Sequence, residues 1–300
     1  VARSTAGAPS GVLAATREPS TNTTTAPIAV TYVYVTTANG CSSASQNVVV
    51  TVNPIPVLSS TLAPAAICSA TTFSYTATSA TAGATFAWTR ALVGGISEAA
   101  SGGAGNVSEV LTNTTAAPIA VPYVYVTTAN GCSSANQNVV VTVNPTPVLT
   151  STLTPAAICS ATTFSYTPTS STAGATFGWT RALVGGISQA ASSGTGPVSE
   201  VLTNTTTAPI NVTYVYTVSA NGCTNASPFN VVLTVNPTPV LSSTLTPAAI
   251  CSATTFSYTA TSATAGASFS WTRAVVGGIL EGASSGVVAA ISETLTNTTT

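Results

Sequence analysis

The chain is 300 residues long with a net charge of −1, and only 4% of its residues are charged, against about 25% in an ordinary globular domain. It contains five Arg and six Glu but no Lys, Asp, His or Met. Those absences remove the Ser–His–Asp triad, imidazole bases and histidine metal ligands, Schiff-base and P-loop lysines, and Asp-rich calcium loops. They also remove a Lys–Asn isopeptide staple and a basic surface for nucleic acid. The composition predicts no enzyme, no cofactor, no metal and no nucleic-acid partner. No run of 18 apolar residues occurs, so no membrane span is expected. No secretory leader opens the sequence, which reads as a mature chain or a fragment.

Taken in chain order, the elements repeat. Residues 1–52 read as the last strands of a unit, ending on Cys41 and a valine run. Asn53-Pro54-Ile55-Pro56 follows; two prolines in four residues fix φ and withhold ladder donors, so the segment reads as a stiff, extended junction. Cys68 precedes Thr71–Thr78, where Phe73 and Tyr75 alternate with Thr and Ser, the period-2 signature of a half-buried strand. Thr85–Arg90 carries Phe86 and Trp88 on one face. Residues 92–105 turn to Gly, Ala and Ser, which fits a loop or short edge strands. Val107–Thr112, Ile119–Thr127 and Gln137–Val143 complete the unit, with Asn130-Gly131 as a hairpin turn before Cys132.

The same elements return after the prolines Pro145 and Pro147 and again after Pro237 and Pro239. Trp88, Trp179 and Trp271 are 91 and 92 residues apart, Cys68, Cys159 and Cys251 keep those intervals, and Cys41, Cys132 and Cys223 are each 91 apart. The boundaries predicted are 1–52 (C-terminal strands only), 53–143, 144–235, and 236–300 (lacking those strands). About seven short strands per unit, with Trp on the third, predict an all-β fold of tandem immunoglobulin-like sandwiches with a repeat of about 91 residues. The three Trp are expected in the cores.

Several motifs together resemble PKD-like repeats. They are Ala-Ile-Cys-Ser before the second strand, Phe-x-Trp, Leu-Thr-Asn-Thr-Thr followed by Tyr-Val-Tyr, Ala-Asn-Gly-Cys, and Val-Asn-Pro-x-Pro. The resemblance covers the whole chain. It implies large surface or adhesin proteins of Bacteroidetes, in which such repeats serve as stalks or fibres, and it implies no particular ligand.

Residues 6–25 line up without gaps on residues 281–300, so both ends fall at one phase inside a unit. Two expectations follow. Either the sequence is a window on a longer array, or the N-terminal strands of one subunit complete the C-terminal unit of the next.

Six regularly placed cysteines without metal-type spacing favour disulfides and an oxidising, extracellular or cell-surface setting. Two pairings stay open, with unpaired thiols as the third alternative. Cys68–Cys132 would close one repeat, but parallel second and sixth strands put those residues at opposite poles, on the order of 35 Å apart. Cys68–Cys223 would instead staple neighbouring repeats across Asn144–Pro147. By that rule Cys159 and Cys251 reach forward, and Cys41 and Cys132 backward, to partners outside the sequence. A catalytic thiol is not expected without His or Lys to activate it.

Arg90, Arg181 and Arg273 follow the tryptophans, and Glu109, Glu200 and Glu293 recur about 20 residues later; an ion pair across the sheet is expected. Sequons occur at Asn22, Asn106, Asn113, Asn204, Asn211, Asn225 and Asn297. So uncharged a surface favours self-association, head-to-tail or lateral. The function expected is a structural extracellular fibre or stalk. The alternative is an adhesin module that recognises glycans or surfaces through its loops. Divergent loops would favour it, whereas Leu92-Val93-Gly94-Gly95 returns unchanged at 183–186.

Overall fold

The computed structural model describes residues 21–299. The aligned segment 6–25 and the partial unit 1–52 therefore lie partly outside the described residues. Every regular element among them is a β-strand, as the Thr- and Val-rich, proline-punctuated composition dictates. The chain divides between Pro145 and Thr146 into two compact units.

The first unit opens with β1 (Ile28–Tyr34), β2 (Thr37–Ala38), β3 (Cys41–Ser42) and β4 (Gln46–Val52). β1 and β4 pair antiparallel from Ile28↔Val52 to Tyr34↔Gln46, and β2–β3 forms the tip. A complete sandwich follows: β5 (Ile67–Cys68), β6 (Thr71–Tyr75), β7 (Thr85–Arg90), β8 (Ser101–Ala104), β9 (Val107–Leu111), β10 (Ile119–Ala129), β11 (Cys132–Ser133) and β12 (Gln137–Asn144). One sheet runs β5-β12-β10-β7-β8 with β11 at the hairpin; the facing sheet is β6-β9. Only β5 is parallel to its neighbour, with Ile67 opposite Val143 and Cys68 opposite Asn144. The expected strands are present, and β8 occupies the Gly/Ala/Ser stretch.

Side-chain alternation decides which faces meet. Along β10, Val121, Tyr123, Tyr125 and Thr127 are buried while the residues between them are only half-buried. Phe73 and Tyr75 of β6 come from the other sheet to meet them, with the Phe73 and Tyr123 ring centroids 5.2 Å apart and Tyr75 and Tyr125 5.5 Å apart. Trp88 joins this cluster edge-on to Tyr123 at 5.5 Å, so the tryptophans of the complete repeats are core residues. Asn130 and Gly131 both take positive φ, 50° and 78°, the pairing a two-residue β10–β11 turn requires.

The second unit repeats this sandwich as β13 (Ile158–Cys159), β14 (Thr162–Tyr166), β15 (Thr176–Arg181), β16 (Ser192–Thr195), β17 (Val198–Leu202), β18 (Ile210–Ala220), β19 (Cys223–Thr224) and β20 (Phe229–Asn236). Its sheets are β13-β20-β18-β15-β16 and β14-β17. The unit ends in β21 (Thr254–Thr259), β22 (Trp271–Arg273), β23 (Ser284–Gly286) and β24 (Ala290–Leu295), paired as β21-β24 and β22-β23.

Candidate functional site

The features most specific to this chain lie at the ends of each sandwich and in its polar core. The Pro-x-Pro segments carry no regular structure and no cis peptide. Pro54, Pro56, Pro145, Pro147 and Pro237 are buried, and Pro239 is exposed. The first two segments are gripped by their own repeats. The Asn53 side chain donates to the Asn130 carbonyl in the hairpin turn at 2.9 Å, and Asn225 of the corresponding hairpin donates to the Pro147 carbonyl at 3.0 Å. The β10–β11 hairpin therefore caps the end at which a repeat begins. β5 lies at the other end, where the Ser69 amide donates to the Asn144 carbonyl at 2.8 Å.

Cys68 and Cys223 are disulfide-bonded, whereas Cys41, Cys132, Cys159 and Cys251 carry free thiols. The pairing of Cys68 with Cys132 within a repeat does not form. Cys68 stands opposite Asn144 at the end of β12, and Cys132 precedes that strand's start. Eight residues of strand at about 3.4 Å each separate the two, far beyond the roughly 7 Å a disulfide allows between Cα atoms.

The expected Arg–Glu pair across the sheet is present, and it is largely buried. The Arg90 side chain is only 1% exposed and that of Glu109 18%. Arg90, at the end of β7, donates from Nε to Glu109 Oε2 at 3.0 Å and from its terminal nitrogen to the Ala99 carbonyl at 2.6 Å. Tyr123 Oη donates to the same Glu109 oxygen at 2.6 Å. Arg181, Glu200, Tyr214 and Ala190 repeat the arrangement. Burial raises the Glu109 pKa, but the Tyr123 and Arg90 donors and the Arg90 charge outweigh it, holding the carboxyl below its usual range. The neighbouring Ser101 hydroxyl, a further lowering influence on that carboxyl, is itself buried without a partner in hydrogen-bond geometry. Burial, then Glu109, pushes the Tyr123 hydroxyl far up. The guanidinium and the phenol thus both spend a donor on one carboxylate oxygen, which makes the cluster a structural tie between strands.

A second polar device was read from the sequence only as a sequon. Asn113 is buried. Its side-chain nitrogen donates to the carbonyls of Ala117 and Val143, both at 2.8 Å, and its oxygen accepts from the Thr115 amide and hydroxyl. Its backbone amide donates to Ser69 Oγ at 2.9 Å. One residue, through side chain and backbone together, thus ties the β5–β6 connection, the turn before β10 and the end of β12. Asn204 does the same with Ser160, Thr206, Ala208 and Val235. These two sequons are closed to glycosylation. Asn106 and Asn211 are exposed.

Each Trp also meets a glycine on its edge strand. A Cβ placed on Gly103 would stand 3.1 Å from the Trp88 ring, and one on Gly194 2.8 Å from the Trp179 ring. The indole N–H of all three tryptophans is buried without an acceptor. No group of three or more metal-ligating side chains is found among the described residues, and no helix among them is long and apolar enough to cross a membrane.

Two consecutive sandwiches with one internal plan define a tandem immunoglobulin-like repeat protein. The PKD-like domain family model matches residues 65–147 and 156–239, and the chain belongs to that family. No curated protein matches it. Among solved structures, a mutated three-domain titin segment is similar at 9% identity and a TM-score of 0.35, over 72% of this chain and 77% of that one. The first two immunoglobulin domains of DIP-gamma are similar at 10% identity and a TM-score of 0.33, over 61% of this chain and 98% of that one. Extracellular domains 3–5 of Drosophila OTK are similar at 10% and 0.22, over 70% and 76%. At these identities the likeness extends to no ligand or activity.

Proposed function

We propose that the protein is a structural element of an extracellular fibre or stalk, in which rigid sandwiches are joined by proline segments and locked by a Cys68–Cys223 disulfide. The reading rests chiefly on the two bonded cysteines. Cys68 faces Asn144, and Asn225, two residues beyond Cys223, holds Pro147. Both cysteines therefore flank the four-residue segment Asn144–Pro147, which spans at most about 10–14 Å even when extended. A disulfide belongs to an oxidising compartment, and membership of the PKD-like family supports placement at a bacterial surface.

Repeat boundaries at 53, 144 and 236 follow from the same junctions. Negative-stain imaging of the native material tests the reading. Filaments or rods are expected, with a fixed angle between successive repeats that loosens on reduction. Isolated particles whose inter-repeat angle ignores reduction would contradict it.

A further inference from the structure

Between Arg17 and Arg273 the chain contains two cations, Arg90 and Arg181, and no Lys. An endopeptidase specific for basic residues must take such a side chain into its own acidic pocket. Neither guanidinium is within reach, because both side chains are 1% exposed. Arg90 ends β7, which is paired with β10 on one side and β8 on the other. Arg181 sits between Tyr214 and Ser192 in the matching place. Ala91 and Ala182, which follow the two arginines, are exposed. The fold withholds the side chain rather than the bond.

Drawing Arg90 out breaks its bonds to Glu109 and to the Ala99 carbonyl and pulls the end of β7 from between its neighbours. Fraying of a loop does not achieve that, so cleavage follows the open fraction of the whole repeat. A second safeguard is covalent. Both arginines lie between Cys68 and Cys223 in sequence. Hydrolysis adds water across Arg90–Ala91, leaving a carboxylate on Arg90 and an amine on Ala91, and no sulfur takes part. The piece that ends at Arg90 keeps Cys68, and the piece that begins at Ala91 keeps Cys223. The same holds for a cut between Arg181 and Ala182. Strand pairings cross the first cut as well, since β6 pairs with β9 and β7 with β10.

We propose that the complete repeats withstand endopeptidases specific for basic residues in two ways. Their two cations are held as core residues, and the Cys68–Cys223 disulfide carries the chain across a cut at either one. The second way rests on the disulfide pairing of the structural reading, whereas the first stands without it. A single cut severs an ordinary linear stalk. Here it leaves one covalent body, with the two pieces of the cut repeat tethered side by side at high effective concentration.

Trypsin acting on the folded, oxidised full chain tests this. Leu92→Arg places an open cleavage site inside the disulfide loop, where the native residue is 72% exposed. Cleavage after Arg90 and Arg181 should be at least about 1,000-fold slower than at that introduced site. Once nicked, the Leu92→Arg chain should lose no more mass without reductant than the unmodified chain does. It should part into two pieces with reductant, and keep its native Trp fluorescence until then. Leu245→Arg, at a residue 77% exposed and outside the loop, should part under both conditions. Equal cleavage rates at Arg90 and the introduced site in the folded chain would overturn the shielding. A nicked Leu92→Arg chain that parts without reductant, or that unfolds while still joined, would overturn the bypass. Cysteine mapping of the uncut chain separates the causes. Parting with Cys68 not bonded to Cys223 refutes the structural reading too, whereas the other failures leave it standing.

Discussion

Arg90 and Glu109 join the two sheets of a repeat through a single carboxylate oxygen, which receives the guanidinium at 3.0 Å and Tyr123 Oη at 2.6 Å. Three strands converge there, and the charge is desolvated on the arginine side. Removing one member leaves the other uncompensated. Glu109→Ala is expected to destabilise the first complete repeat by about 3–5 kcal/mol. Exchanging both partners for apolar residues, Arg90→Met with Glu109→Leu, should cost far less. Urea denaturation of the two variants checks this.

The same site sets the pH limits. Glu109 and Glu200 have folded-state pKa values below the usual carboxylate value. The unfolded state therefore binds more protons as pH falls, and the stability they contribute is complete above the ordinary carboxylate pKa of about 4.3 and lost below it. Tyr125, raised by burial and then by Tyr75 to about 12, works at the other end. Its contribution is complete below pH 10 or so and declines as pH rises towards its folded value. Thermal unfolding against pH should show a broad plateau with a fall on each side.

Gly103 and Gly194 lie against indole rings that a methyl group would strike. Gly103→Ala and Gly194→Ala should each cost about 1–3 kcal/mol, and Trp fluorescence should shift. Gly94, with nothing within 4 Å of its missing Cβ and no positive φ, is the control, and Gly94→Ala should leave stability nearly unchanged.

Asn113→Ala strips a donor from two carbonyls, exposed Ala117 and buried Val143, and the buried acceptor left bare costs about 1–3 kcal/mol. Asn113→Asp should be about as harmful, because a carboxylate cannot donate. Produced in a glycosylating host, the chain should carry no glycan at Asn113 or Asn204, while Asn106 and Asn211 are open to it. Mass spectrometry of the glycopeptides checks the site assignment.

The repeat, the strands and the core tryptophans were legible because alternation and a constant spacing are properties of the sequence itself. Three features were not. β5 is two residues long, too short to show a period. Arg90 is written like any surface arginine, and its burial depends on Ala99 and Glu109 arriving from other strands. Asn113 matches a glycosylation pattern as well as it matches a structural lock. Its cue was the recurrence of Asn-Thr-Thr in step with the serine after each of Cys68, Cys159 and Cys251, a pairing visible only once β5 lies beside the end of β12. The cysteines show the reverse case, since strand direction alone argued against Cys68–Cys132.

The disulfide at the joint is the central claim, and the chain is well suited to its test. It has no Lys, and tryptic cleavage at Arg17, Arg90, Arg181 and Arg273 separates the cysteines into the peptides 18–90, 91–181 and 182–273. Mass mapping of a denatured, unreduced digest with thiols blocked should find 18–90 joined to 182–273 through Cys68 and Cys223. Joining of 18–90 to 91–181 through Cys68 and Cys132 would contradict the account.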